Sequence, residues 1–133
     1  MTALNIASPL SPDLEDVVSR TIGALLEVHR QLGPGFNERV YAAATRIELT
    51  ERSISYEAEK GCELRYRGRF LCRQRVDLII ENRVVVEIKA VERIHPVHVA
   101  QVVSYLRLTA CPVGLIANFN EALLKYGIKR VVL

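Results

Sequence analysis

Arg75-Val76-Asp77-Leu78-Ile79-Ile80-Glu81-Asn82-Arg83-Val84-Val85-Val86-Glu87-Ile88-Lys89 reads as a β-hairpin. Two runs rich in Val and Ile flank the polar segment Glu81-Asn82-Arg83, in which Asn82 tolerates a positive φ. Side chains alternate along a strand, so Val84, Val86 and Ile88 share one face while Val85, Glu87 and Lys89 share the other. In the first strand Val76, Leu78 and Ile80 form the matching apolar face and Asp77 points the opposite way. Joining the apolar faces pairs Leu78 with Val86 and sets Asp77 beside Glu87. That register requires a three-residue loop or a bulge, because the slip of a two-residue loop would set Asp77 against Val86.

Two carboxylates side by side on rigid strands repel each other, and burial raises the cost of charging either. A divalent cation removes the conflict. Mg²⁺ or Mn²⁺ takes oxygen ligands, here Asp77, Glu87 and the backbone carbonyl of Ile88 between the functional side chains. Lys89 could hold an attacking water or stabilise charge on a phosphate. The same residues also fit a structural ion-pair cluster in which Lys89 and Arg75 neutralise the acids.

The chain has 133 residues, 50% of them apolar, enough for a single domain with its own core; residues 11–133 are expected to form it and 1–10 a loosely ordered N-terminus. A net charge of +3 permits a polyanionic partner without demanding one. The distribution is more informative, since Arg65, Arg67, Arg69, Arg73 and Arg75 crowd the window before Asp77. Arg73 and Arg75 share the face of Asp77 if the strand is regular. A guanidinium row leading to paired acids suits a phosphate backbone, although arginines also discourage strand-edge pairing. Cys62, Cys72 and Cys111 are odd in number and lack Cys-x-x-Cys spacing, which implies reduced core cysteines. With no signal-like start and no apolar run of membrane-spanning length, a cytoplasmic protein without a membrane partner is expected.

In chain order, Ser11-Pro12-Asp13 opens a helix whose stripe is Val18, Ile22, Leu25, His29 and Leu32, with His29 read as a packed, hydrogen-bonded histidine. Gly33-Pro34-Gly35 stops it. A second helix over about Asn37 to Arg52 places Glu38, Tyr41 and Thr45 on one face; Glu38 near its start also suits the helix dipole. From Ile54 to Lys89 the pattern is antiparallel sheet with a turn at Arg67-Gly68. His95-Pro96 begins a third helix to about Thr109, with His98, Gln101 and Tyr105 on one face. Val113 to Asn118 reads as a buried strand, Glu121 to Tyr126 as a helical turn and Ile128 to Val132 as a last strand. The fold class is α/β in the α+β sense, α-α-β-β-β-α-β-(α)-β, a mixed sheet flanked by helices.

Asp77, then Glu87-Ile88-Lys89, then Gln101-Val102-Val103-Ser104-Tyr105 resembles the PD-(D/E)xK signature of the restriction-endonuclease-like nucleases, in the variant with a trailing Gln-x-x-x-Tyr helix. Val76 stands where the signature has proline, a position that carries no ligand. Leu32-Gly33-Pro34-Gly35-Phe36-Asn37-Glu38-Arg39-Val40-Tyr41 further resembles the GxxExxY family, and Gly114-Leu115-Ile116-Ala117-Asn118-Phe119 continues the similarity. The resemblance implies a metal-dependent nuclease with Asp77, Glu87, Lys89, Gln101 and Tyr105 in the site and Glu38 supplied by the helix. Nucleic acid, DNA first, is the implied partner, with Arg67, Arg69, Arg73 and Arg75 as its contacts and a homodimer as one assembly. The alternative is a catalytically silent nucleic-acid-binding or protein-interaction module with the same fold.

Overall fold

The computed structural model describes residues 10–133, so most of the expected loose N-terminus lies outside the described residues. Ser11 caps the first helix, α1 (Pro12–Leu32), by accepting the Leu14 N–H at 3.2 Å, and Asp13 and Glu15 sit at the positive end of its dipole. Gly33 ends it at φ +69°. The buried stripe is Leu14, Val17, Val18, Thr21, Ala24, Leu25, Val28 and His29. Leu32, expected on this stripe, is instead exposed, because the chain turns away at Gly33 directly after it. His29 is buried, its Nε2 lying 2.8 Å from the Glu121 carbonyl. Asn37 caps α2 (Glu38–Glu51), which buries Tyr41, Thr45 and Leu49.

Three antiparallel strands follow, β1 (Tyr56–Tyr66), β2 (Arg69–Ile80) and β3 (Val84–Lys89). Helix α3 (Pro96–Thr109) then carries the chain to β4 (Val113–Asn118), which lies parallel to β3, and β5 (Ile128–Val132) closes the sheet antiparallel to β4. The sheet order is β1-β2-β3-β4-β5. A 3₁₀ turn, Leu124–Tyr126, lies within the Glu121 to Tyr126 segment expected as a helical turn. No helix among the described residues is long and apolar enough to cross a membrane. Cys62, Cys72 and Cys111 are free thiols.

The register matches the sequence pattern: Leu78 pairs with Val86, Ile79 with Val85 and Ile80 with Val84. Glu81, Asn82 and Arg83 form the three-residue connection, in which Glu81 and Asn82 take φ of +48° and +58° and the Arg83 N–H closes on the Ile80 carbonyl at 2.9 Å. The non-Gly strain at Glu81 is held in place by its N–H bond to the Ser55 carbonyl, 3.0 Å, and by its ion pair to Arg20, 3.3 Å.

The sheet has a core on each face. Leu78, Ile80, Val84, Val86, Ile88, Val113, Leu115 and Ala117 pack with α1 and α2, while Ile79, Val85, Ile116 and Val131 pack with Val102, Tyr105 and Leu106 of α3. Burial on both sides explains why Val84–Val86 of β3 and Val113–Ala117 of β4 are apolar at consecutive positions rather than alternating ones. Truncating a fully buried member such as Leu115 to alanine costs about 2–5 kcal/mol. Val76 corrects the sequence expectation, for it packs on the α3 side, opposite Leu78 and Ile80. The alternation slips at Asp77, where its register partner Glu59 takes φ +52° and the pair drops out of the β1–β2 ladder. β2 also leaves β3 at this point, since their last pair is Leu78 with Val86. Beyond it β1 and β2 continue as a two-stranded arm.

Candidate active site

Where β2 and β3 part, two side chains take over the hydrogen bonding that the ladder abandons. The Asp77 N–H donates to Glu87 Oε1 at 3.3 Å, and the Ile88 N–H donates to Asp77 Oδ2 at 3.0 Å. The carboxyls of Asp77 and Glu87 are therefore side by side, as the hairpin phase requires. Lys89 Nζ stands 3.8 Å from Glu87 Oε2 and donates to Gln101 Oε1 at 3.4 Å. Glu87 is 4% exposed. Burial pushes its carboxyl up to about 8, and the Asp77 charge adds to this, against the Asp77 N–H and Lys89. Burial raises Asp77 as well, against the Ile88 N–H and Lys89. One lysine stands against the buried Glu87 and the half-buried Asp77.

Glu38 reaches the same place from α2, and the loop before it is built to deliver it. Tyr41 is buried, stacks on Phe119 with ring centroids 4.4 Å apart, donates its hydroxyl to the Gly33 carbonyl at 2.6 Å and accepts the Phe36 N–H at 3.1 Å. Gly35 takes φ +113°, a conformation that a side chain would resist. The Asn37 side chain accepts the Val40 N–H at 3.2 Å. So anchored, the helix start points Glu38 across to β3, where Oε1 accepts the Ala90 N–H at 3.3 Å. Glu38, Arg39, Arg46, Glu59 and Asp77 line a cleft of ≈ 160 Å³ floored by Leu78 and Ile88.

From the opposite side α3 supplies Gln101 and Tyr105 one turn apart. Gln101 is bonded to both Lys89 and Tyr105, and Tyr105 is 5% exposed. Burial raises the Tyr105 phenol, reinforced by the charges of Glu87 and Asp77. His98, one turn earlier, accepts the His95 N–H on Nδ1 at 3.0 Å. Its proton affinity is lowered first by burial and then by Lys89.

Asp77 Oδ2 and Glu87 Oε1 each hold a backbone N–H, leaving Asp77 Oδ1, and Glu87 Oε2 shared with Lys89 at 3.8 Å, to face a cation, with the carbonyl of Ile88, the residue after Glu87, as a further donor. Hard oxygen donors with excess negative charge fit Mg²⁺ or Mn²⁺. Among the described residues no group of three His, Cys, Asp or Glu is clustered for metal, so water or substrate oxygen must complete the shell.

The arginines divide. Arg73 and Arg75 lie on the arm face that runs to Glu59, paired at 3.6 Å with Glu63 and Glu59 respectively. Arg69 falls on the opposite face beside Tyr66, and Arg67 lies over the Tyr66 ring at the tip. Two contributors escaped the sequence reading as site residues. Glu59 lines the cleft with Asp77 and adds to its negative field, but an isolated strand glutamate carries no signal of that. Asn118, 1% exposed, accepts the Val91 N–H at 3.0 Å and donates to the Val91 carbonyl at 2.9 Å, pinning the segment after Lys89. A lone asparagine ending an apolar strand was the available sign.

No curated protein and no solved structure matches the chain. A family model described as the PD-(D/E)XK nuclease superfamily matches residues 15–131, nearly the whole of it and all of the elements that carry the site. The α+β architecture with its five-stranded mixed sheet is consistent with the restriction-endonuclease-like fold of that group. With Asp77, Glu87 and Lys89 on adjacent strands and Gln101 and Tyr105 behind them, the chain belongs to the PD-(D/E)XK nuclease superfamily.

Proposed function

We propose that this protein is a metal-dependent nuclease of the GxxExxY kind that hydrolyses phosphodiester bonds of DNA. The bonds from Asp77 N–H to Glu87 and from Ile88 N–H to Asp77, next to Lys89, carry the reading, because they fix a buried and a half-buried carboxyl side by side, with Asp77 opening on the cleft. Superfamily members are generally dependent on a divalent metal. Asp77, Glu87 and the Ile88 carbonyl would hold Mg²⁺ or Mn²⁺, which supplies Lewis-acid stabilisation of phosphorane charge and acidifies water.

The chain's own groups do the rest. Lys89 Nζ, held between Glu87 and Gln101, donates hydrogen bonds to the incoming water or to a non-bridging phosphate oxygen. Gln101, tied to Tyr105, fixes the direction of that ammonium. Glu38, on the cleft side of Asp77, orients water on the face away from α3. Arg73 and Arg75 hold flanking phosphates after exchanging their long glutamate contacts, which are weak at exposed positions. The free thiols agree with a reducing, cytoplasmic setting.

The test is cleavage of single-stranded, duplex and branched DNA with Mn²⁺ and with EDTA, using wild type and Asp77→Ala prepared alike. Cleavage that needs metal and Asp77 supports the assignment. Cleavage that survives Asp77→Ala refutes it, and binding without cleavage points to a silent binding module.

A further inference from the structure

The two-stranded arm has two unlike faces, set by its register and by one bulge. Leu64 pairs with Cys72, but Arg65 pairs with Phe70, so Leu71 is the extra residue and the alternation of β2 reverses across it. Residues paired across an antiparallel ladder share a face. One face carries Cys62, Leu64, Cys72, Gln74 and Val76, with Cys62 and Val76 packed on the α3 side. The other carries Phe70, Arg65, Glu63, Arg73, Gly61 and Arg75 and ends at Glu59, in the cleft beside Asp77.

Three observations on this second face point to a ligand. Phe70 is 55% exposed on this face near the arm tip, where Tyr66 and Leu71 are exposed as well. Three arginines, Arg65, Arg73 and Arg75, stand on this face against two acids, Glu63 and Glu59, and the contacts of Arg73 and Arg75 with those acids are long, 3.6 Å each, at exposed positions. Gly61 gives the Arg73 side chain room to lie flat, because a Cβ there would meet Arg73 Cδ at 3.0 Å. An aromatic platform, then two arginines, then the acids forms a single track from the arm to the cleft. From Phe70 to Asp77 it spans ~23 Å at ~3.3 Å per residue, or about seven nucleotides of stacked single strand at ~3.4 Å each.

We infer that this arm face is a single-strand-binding track, with Phe70 stacking an unpaired base and Arg73 and Arg75 gripping the intervening phosphates. The inference rests on the nuclease reading for its partner and adds a substrate class: nucleic acid with an unpaired tract leading to the scissile bond. Bases present a π-face whatever their identity, so recognition is of strandedness rather than sequence. A duplex offers no unstacked base to Phe70 and engages only the arginines.

The test is binding of fluorescein-labelled oligothymidines and of matched duplexes in EDTA, where nothing is cleaved. Affinity should rise with length until the strand spans both Phe70 and the cleft, at about seven nucleotides. Phe70→Ala should weaken single-strand binding about tenfold or more while sparing duplex, and Phe70→Trp should retain it. Equal binding by wild type and Phe70→Ala overturns the inference, as does absence of binding by wild type. It is also overturned if Phe70→Ala turns a dimer into a monomer in sedimentation without changing oligonucleotide affinity, since the face would then join two copies of the chain. A parallel cleavage assay with Mn²⁺ separates the two readings: Phe70-dependent binding without cleavage keeps the track and removes the nuclease.

Discussion

Asp77 and Glu87 tie their two strands together, each carboxyl accepting a backbone N–H from the other's strand, with Asp77 N–H on Glu87 and Ile88 N–H on Asp77. Backbone donors stabilise a carboxylate, yet both groups bind protons more tightly than usual, so desolvation and mutual repulsion outweigh those bonds. The site holds its acids rigidly in place at an electrostatic cost. A cation entering it relieves that cost without moving a strand.

Stability of the metal-free protein should therefore fall as pH rises. The Glu87 carboxyl is raised to about 8 when folded and has the ordinary value near 4.5 when unfolded, so between these pH values the folded chain binds more protons. Stability then declines with pH, by about 2–4 kcal/mol from ~pH 5 to ~pH 8, since each tenfold change in proton affinity is worth about 1.4 kcal/mol. Glu87→Gln, which keeps an oxygen for the Asp77 N–H, should flatten this decline. Denaturant titrations in EDTA across the range check it; the same slope in both proteins would show that Glu87 is not the source.

Metal should reverse the loss. A ligand that binds only the folded state at a hundredfold excess over Kd adds about 2.7 kcal/mol. Because the Glu87 proton must leave first, the rise in melting temperature with Mn²⁺ should be larger near pH 8 than near pH 6. Glu87→Gln should respond much less. If wild type ignores metal and Glu87→Gln loses about 3–5 kcal/mol, the acids and Lys89 are a structural cluster.

Tyr41 is the next point of leverage. Tyr41→Phe keeps the stack on Phe119 but strands the Gly33 carbonyl and the Phe36 N–H, a cost of about 1–2 kcal/mol. It should also loosen the delivery of Glu38, so cleavage should slow in the same direction as for Glu38→Gln. Loss of stability with unchanged cleavage would make Tyr41 a core residue only.

The frame of this site was readable because two apolar runs carry the same period on either side of Glu81-Asn82-Arg83, and only one register buries both. The helix limits followed from Ser11, Asn37 and Pro96 for similar local reasons. The arm was not readable. Its faces depend on the bulge at Leu71 and on a left-handed Glu59, and neither residue type announces such a conformation. Hence Arg69 and Arg73 looked alike in sequence and stand on opposite faces, and Val76 was assigned to the wrong core. Glu38 and Gln101 approach Asp77 and Lys89 from different helices; the shared face of Gln101 and Tyr105 pointed toward the hairpin, and the family pattern added Glu38.

Gln101 allows positioning to be separated from metal holding. Its oxygen accepts from Lys89 Nζ at 3.4 Å, and it is bonded to Tyr105, but it has no contact with the free oxygens of Asp77 or Glu87. Gln101→Leu preserves volume and removes the acceptor, leaving Lys89 with Glu87 as its remaining partner at 3.8 Å. The ammonium should then swing toward Glu87 and away from the substrate. A misplacement of about 1 Å costs on the order of a hundredfold in rate. Turnover should fall by about ten- to a hundredfold on that ground, whereas the Mn²⁺-induced rise in melting temperature stays at the wild-type value. Gln101→Glu provides the contrast, since it restores an acceptor but adds a third acid, and should raise metal affinity while still slowing turnover. If Gln101→Leu lost the metal response together with turnover, Gln101 would be part of the cation site rather than the support of Lys89.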